Sequence, residues 1–147
     1  MTTVLADARL GVMVSDSSAS DGTRVWVARK VWRVRGHLLG FAGSMHHFKP
    51  IVDWFRFGST PEEVPNMGDA SVLILGPTGL YLMDHNSKLP QYVESGREAI
   101  GAGAQSAIAV HEALGWADPR RAVRIVCKHD ATSRPPVRLY RLAGRRP

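Results

Sequence analysis

The sequence predicts an α+β fold in which antiparallel sheets are covered by helices. Short β-compatible segments fill residues 3–42, and a helical period begins only after Gly43-Ser44. A hairpin, two helices and a last strand complete the chain. Strands and helices thus come in blocks, without βαβ alternation.

The elements follow in order. Residues 3–9 form a short strand ending at the turn signal Gly11, and residues 12–15 return as its hairpin partner, stopping at Asp16. Residues 17–23, rich in Ser, Asp and Gly, read as a polar loop. Strand-like segments follow at 24–27, 30–35 and 37–42. Met45, Phe48, Ile51, Val52 and Phe55 then recur at helical spacing, with Ser44 as N-cap and Pro50 marking a kink or a later helix start. Residues 58–68 are loop. Residues 72–75 and 80–83 flank Gly76-Pro77-Thr78-Gly79 as a hairpin. A small-residue helix over 107–114 ends at Gly115, and Asp118-Pro119 opens another reaching about Lys128. Val137, Leu139 and Leu142 mark an edge strand before a basic tail from about residue 143. No linker or repeat divides residues 1–147, so a single domain is expected.

Composition narrows the function. The chain has 147 residues, enough for one real core, and its 44% hydrophobic and 22% charged content is ordinary for a globular protein. The most apolar run, 72–75, is far too short to span a membrane, so no membrane partner is expected. The first residues lack a basic region followed by a long apolar one, so no secretory signal is expected either. Cys127 is the only cysteine, which excludes an internal disulfide and points to a cytoplasmic location. A net charge of +6 raises nucleic-acid binding as a competing reading. Arg24, Arg29, Lys30, Arg33 and Arg35 cluster around Trp26 and Trp32, where bases could stack, although a solvated face is the plainer account.

Met1-Thr2 is the most chemically suggestive pair. Removal of Met1 would leave Thr2 with a hydroxyl and a free α-amino group, a nucleophile and a base in one residue. The amine's ordinary pKa of about 7.7–8.0 suits it to take the hydroxyl proton near neutrality. A neighbouring Lys30 ammonium would favour the neutral amine, Asp16 could hold Lys30, and Gly43 could aim its N–H at a developing oxyanion. Each residue also has a plain role: Thr2 as a β-former, Asp16 as a turn cap, Lys30 as a solvated strand residue, Gly43 as a tight turn. His46-His47 point to different helix faces and lack a third spaced ligand, so no metal is assigned. Cys127 reads as a buried small hydrophobe.

Thr2-Thr3-Val4, Ser15-Asp16, Lys30, Gly40-Phe41-Ala42-Gly43-Ser44, Ala99-Ile100-Gly101-Ala102-Gly103 and Asp130-Ala131-Thr132-Ser133 resemble, in order, the motifs of the proteasome β-subunit and HslV peptidase family. The resemblance implies the four-layer αββα sandwich of N-terminal nucleophile hydrolases. It implies Thr2 as nucleophile, Asp16 and Lys30 as supporting groups, Gly43 as oxyanion donor, and Asp130 and Ser133 as further support near the amine. Ser20 and Met45 would lie beside a substrate strand. Ala28, Trp32, Phe41 and Met45 would surround a first specificity pocket suited to an apolar residue. Some relatives hold a cation on backbone carbonyls here, and Cys127, Asp130 and Ser133 match that spacing; no cofactor is assigned.

The implied activity is a threonine endopeptidase acting on peptides or unfolded proteins through an acyl-enzyme. The implied assembly is a homo-oligomer of the family's ring type, and the implied partner is an ATP-driven unfoldase. The chain itself carries no P-loop. Two departures stand out: Ala102 replaces the usual Ser of a Gly-Ser-Gly turn, and only residues 44–57 are available where relatives carry two helices, which predicts a reduced helical layer. They motivate the alternative of an inactive proteasome-fold scaffold.

Overall fold

A computed structural model of the chain describes residues 2–58, 60–87, 89–130 and 133–144. Met1, Ala131 and Thr132 of the quoted motifs, and Arg145 and Arg146 of the basic tail, lie outside the described residues. β1 (Thr3–Asp7) and β2 (Val12–Ser15) form the expected hairpin. The Asp7 carboxylate accepts the N–H groups of Arg9 and Leu10 in its turn, at 2.9 and 3.1 Å. The segment expected to be loop contains β3 (Ser18–Ser20), which pairs only with β4 (Val25–Val27) as a two-stranded ribbon. Polar Ser-Ala-Ser carries no strand signal of its own.

β5 (Val31–Val34) and β6 (His37–Ala42) are joined by Arg35-Gly36, both at positive φ, the backbone that a two-residue hairpin demands. A 3₁₀ turn, Met45–His47, precedes α1 (Phe48–Arg56), so the helix begins later than Ser44. Pro50 falls in its first turn, where a missing N–H costs nothing. β7 (Ser71–Gly76) and β8 (Gly79–Met83) form the second expected hairpin, and β9 (Gln91–Tyr92) extends it. β10 (Arg97–Gly101) leads into α2 (Ala104–Ala113). Asp118 caps α3 (Pro119–His129) by accepting the Arg121 N–H at 2.9 Å. β11 (Arg138–Arg141) closes the chain as an edge strand, as expected.

Beside the β3–β4 ribbon, the described residues form two larger antiparallel sheets, ordered β10-β1-β2-β11 and β5-β6-β7-β8-β9. Val4, Ala6 and Met13 of the first meet Val31, Leu38, Leu73, Leu75 and Leu80 of the second. On the outer face of the first sheet, Leu5, Val14 and Ala99 pack under Ala107, Ala122, Val123 and Val126 of α2 and α3. On the outer face of the second, Leu39, Phe41, Val72 and Ile74 pack under Phe48, Ile51 and Val52 of α1. The order is therefore α, β, β, α. Both faces of β1 are covered, so all five of its residues are buried. Among the described residues one nine-residue helix covers one side against two on the other, in keeping with the reduced layer that the sequence predicts. Among the described residues no helix is long and apolar enough to cross a membrane.

Candidate functional site

Thr2 enters a central strand, and that placement fixes it from both sides. β1 is laddered to β10 through Thr3 opposite Gly101 and to β2 through Val4 opposite Ser15. A Cβ on Gly101 would fall 1.8 Å from the Thr2 carbonyl oxygen, and Gly101 has φ +95°, so only glycine lets the strand start lie down here.

Asp16 follows the last residue of β2 and is fully buried. Its Oδ1 accepts the Thr3 N–H at 2.9 Å, and its Oδ2 accepts the N–H groups of Ser18 and Arg134 at 3.0 and 3.2 Å. Three backbone N–H donors thus fix the position of both carboxylate oxygens. Lys30, just before β5, is 2% exposed and places Nζ 3.6 Å from Asp16 Oδ1. The same Nζ is hydrogen-bonded to Thr2 Oγ1. Burial pushes the Lys30 amine below its ordinary 10.5, and the nearby Asp16 charge opposes this without cancelling it.

Gly43 leaves β6 at φ +103°, and a Cβ there would sit 2.6 Å from the Asp69 carbonyl oxygen. The Ser44 side chain does not cap a helix. Its Oγ and N–H instead donate to Asp69 Oδ2 and Oδ1 at 2.9 and 3.0 Å. Ser133 Oγ lies 2.6 Å from Thr3 Oγ1 and donates to Asp130 Oδ2 at 3.3 Å. Through Ser133 the Asp130–Ser133 pair reaches Thr3, the second threonine.

Thr2, Lys30, Gly43 and Ala102 line one open cleft of about 520 Å³, together with Ser18, Ala19 and Ser20 of β3, Trp26, Met45, His46 and Asp69. Of the residues expected around a substrate, Ser20 and Met45 lie on this wall. Ala28, Trp32 and Phe41 do not: Phe41 is fully buried, and Trp32 packs edge-on against it at 5.2 Å. The cleft's apolar side is instead Ala19, Trp26, Ala42 and Met45. Among the described residues no three His, Cys, Asp or Glu side chains converge as a metal site. Burial, with Asp16 and Asp130 nearby, pushes the Cys127 thiol up to about 11.

Sequence reasoning gave Thr3 no role of its own, weighed Trp26 only for base stacking and His46 only as a metal ligand, and never named Asp69. The doubled Thr2-Thr3 was a usable signal for the first. Nothing in the sequence connects Asp69 with Ser44.

No family model and no curated protein matches the sequence. Solved structures do. The chain is similar to eukaryotic HslV from Trypanosoma brucei at 21% identity and TM-score 0.75, covering 95% of this chain and 98% of that one. It is similar to BPH of Thiobacillus denitrificans in complex with epoxomicin at 17% identity and TM-score 0.73, covering 97% and 100%. Anbu from Hyphomicrobium sp. strain MC1, as a Gly-1 mutant, matches at 14% identity and TM-score 0.71, covering 96% and 82%. At these identities the likeness is one of fold, and the chain has the proteasome β-subunit and HslV-like fold.

Proposed function

We propose that the protein is a threonine-type endopeptidase whose nucleophile is Thr2 once Met1 is removed. The observation that carries this reading is the buried Lys30 amine hydrogen-bonded to the Thr2 hydroxyl and backed by Asp16. A hydroxyl is a poor nucleophile until a base takes its proton. Here two amines stand available: the α-amine that processing would create, and Lys30, whose neutral form burial favours.

Thr2 Oγ attacks the scissile carbonyl carbon, and its proton passes to an amine. The Gly43 N–H stabilises the oxygen that becomes negative. The same proton is returned to the departing nitrogen as the C–N bond breaks, leaving an ester on Thr2. Water then hydrolyses the ester by the reverse proton path. Asp16 keeps Lys30 in place throughout, and the Thr3–Ser133–Asp130 chain holds the start of β1. Peptides or unfolded proteins are the substrate class, in a cytoplasmic compartment, with self-association hiding the nucleophile.

A second reading, an inactive scaffold of the same fold, is favoured by Ala102, which brings a methyl to the cleft wall where the resemblance expects a hydroxyl. One measurement separates the two: the intact mass before and after treatment with a peptide epoxyketone. Loss of Met1 plus one adduct per chain, abolished by Thr2→Ala, is the expected result. A retained Met1 with no adduct overturns the peptidase reading and leaves the scaffold.

A further inference from the structure

Asp69 lies on the cleft wall, between a core-anchored turn and the backbone that follows β6. We infer that Asp69 is a positioning residue: its carboxylate locks the Gly43-Ser44 turn so that the Gly43 N–H keeps a fixed direction into the cleft. The inference rests on the peptidase reading for its catalytic consequence, but the locking itself is independent of it.

Two peptide planes flank the one that carries the Gly43 N–H. On the near side, Ala42 is paired with Ser71 in the β6–β7 ladder. On the far side, the Ser44 N–H and Oγ are both held by Asp69, one oxygen each, at 3.0 and 2.9 Å. The intervening plane is therefore clamped between a sheet and a two-point carboxylate grip. Gly43 completes the fit: its Cα hydrogens lie against the backbone of residues 69 and 70, where a Cβ would meet the Asp69 oxygen at 2.6 Å and the Ala70 Cα at 2.8 Å.

Asp69 is itself well founded. The buried residues Met67 and Ala70 bracket it, and the Ala70 N–H donates to the Met67 carbonyl at 2.8 Å. The Gly68 N–H donates to Asn66 Oδ1 at 2.9 Å, and the His47 ring fills the space that a residue-68 side chain would need. His47 Nε2 is 3.9 Å from Asp69 Oδ1. The Ser44 N–H and hydroxyl hold the Asp69 carboxyl below the usual carboxylate range, so the grip persists at neutral pH. The device uses the short return of the chain from α1 to β7, in which the described residues hold only one 3₁₀ turn, Pro61–Glu63.

The test compares wild type, Asp69→Ala, Asp69→Asn and Ser44→Ala in epoxyketone labelling, separating the maximal rate from the inhibitor's binding constant. Asp69→Ala is expected to lower the maximal rate by about 10- to 100-fold with little change in binding, since a displacement near 1 Å can cost roughly 10²-fold. Asn can accept the Ser44 N–H and donate to its hydroxyl, so Asp69→Asn should recover most of the rate. Ser44→Ala removes one exposed bond without threatening the fold and should cost about 3- to 10-fold. An Asp69→Ala rate within about twofold of wild type overturns the inference. So does a loss confined to binding, or an Asn variant as slow as Ala. If wild type takes no adduct, the peptidase reading fails, and amide hydrogen exchange decides the rest. Faster exchange at Ser44 in Asp69→Ala, with β6 unchanged, upholds the grip; unchanged exchange refutes it.

Discussion

Lys30 is the residue on which the proposed chemistry turns, because one buried amine touches both the candidate nucleophile and a fixed carboxylate. Its lowered affinity for protons makes the neutral amine reachable below the ordinary 10.5. Labelling of Thr2 should therefore accelerate with pH through the α-amine's ordinary range of about 7.7–8.0 and keep rising above it. Lys30→Arg should flatten the upper limb and lower the rate by roughly 10²-fold or more, because a guanidinium keeps its proton. A rate profile over about pH 6 to 10 reads both effects, and an unchanged upper limb in the arginine variant would remove Lys30 from proton transfer. Cys127 makes the contrasting case. With its thiol raised to about 11, it should alkylate at pH 8 with roughly 10²-fold less thiolate than an ordinary cysteine offers. Mass mapping after iodoacetamide checks this, and it also separates Thr2 adducts from adventitious thiol adducts.

At the scale of elements, turn chemistry made the hairpins legible and long-range pairing hid the rest. Gly11 and Gly76-Pro77-Thr78-Gly79 announce their turns in the sequence, and β1–β2 and β7–β8 stand where those signals put them. β10 carries Arg and Glu in five residues, and only Ala99 and Ile100 are buried. Its partner β1 lies at the other end of the chain, and a local pattern cannot report such a pairing. β9 and β3 were hidden likewise, one by its two-residue length and the other by its polar composition. The consequence reaches the site, since the unpredicted β10 supports Thr2. Gly101→Ala would force a methyl into the Thr2 carbonyl from a left-handed backbone. It should lower the melting temperature and cut Thr2 labelling by about 10²-fold, more than its stability loss alone accounts for. Thermal melts beside labelling rates distinguish that outcome from simple unfolding, in which the residual folded fraction would label normally.

For the molecule as a whole, two buried polar clusters sit at opposite ends of β1, and together they shape stability against pH. The layered αββα arrangement that separates them came from motif resemblance; periodicity alone reached only α+β. Thr2, Lys30 and Asp16 occupy one end. At the other, fully buried Asp7 accepts from His111 Nε2 at 2.9 Å and from Arg97 Nε at 3.0 Å, while the Arg97 guanidinium rests 4.5 Å over Trp116. No sequence motif marks this second cluster, because its members come from β1, β10 and the end of α2. Burial alone would raise the Asp7 carboxyl, but the hydrogen bonds from His111, Leu10 and Arg97 outweigh it and hold the group below its ordinary 3.8. Between that lowered value and 3.8 the unfolded chain binds more protons than the folded one, so stability falls as pH falls through the window. Lys30 has the same sign at the alkaline end: the folded chain binds fewer protons between its lowered value and 10.5, so stability rises with pH there. Asp7→Asn should flatten the acid limb of a stability–pH curve and leave the alkaline limb alone. Lys30→Met, which fills the same buried space without charge, should flatten the alkaline limb and leave the acid limb alone. Breaking the acid-end cluster outright with Asp7→Ala should cost about 3–5 kcal/mol near neutrality. Denaturant titrations across pH decide the matter, and a wild-type curve with no acid limb attributable to Asp7 would show that its partners do not hold it charged.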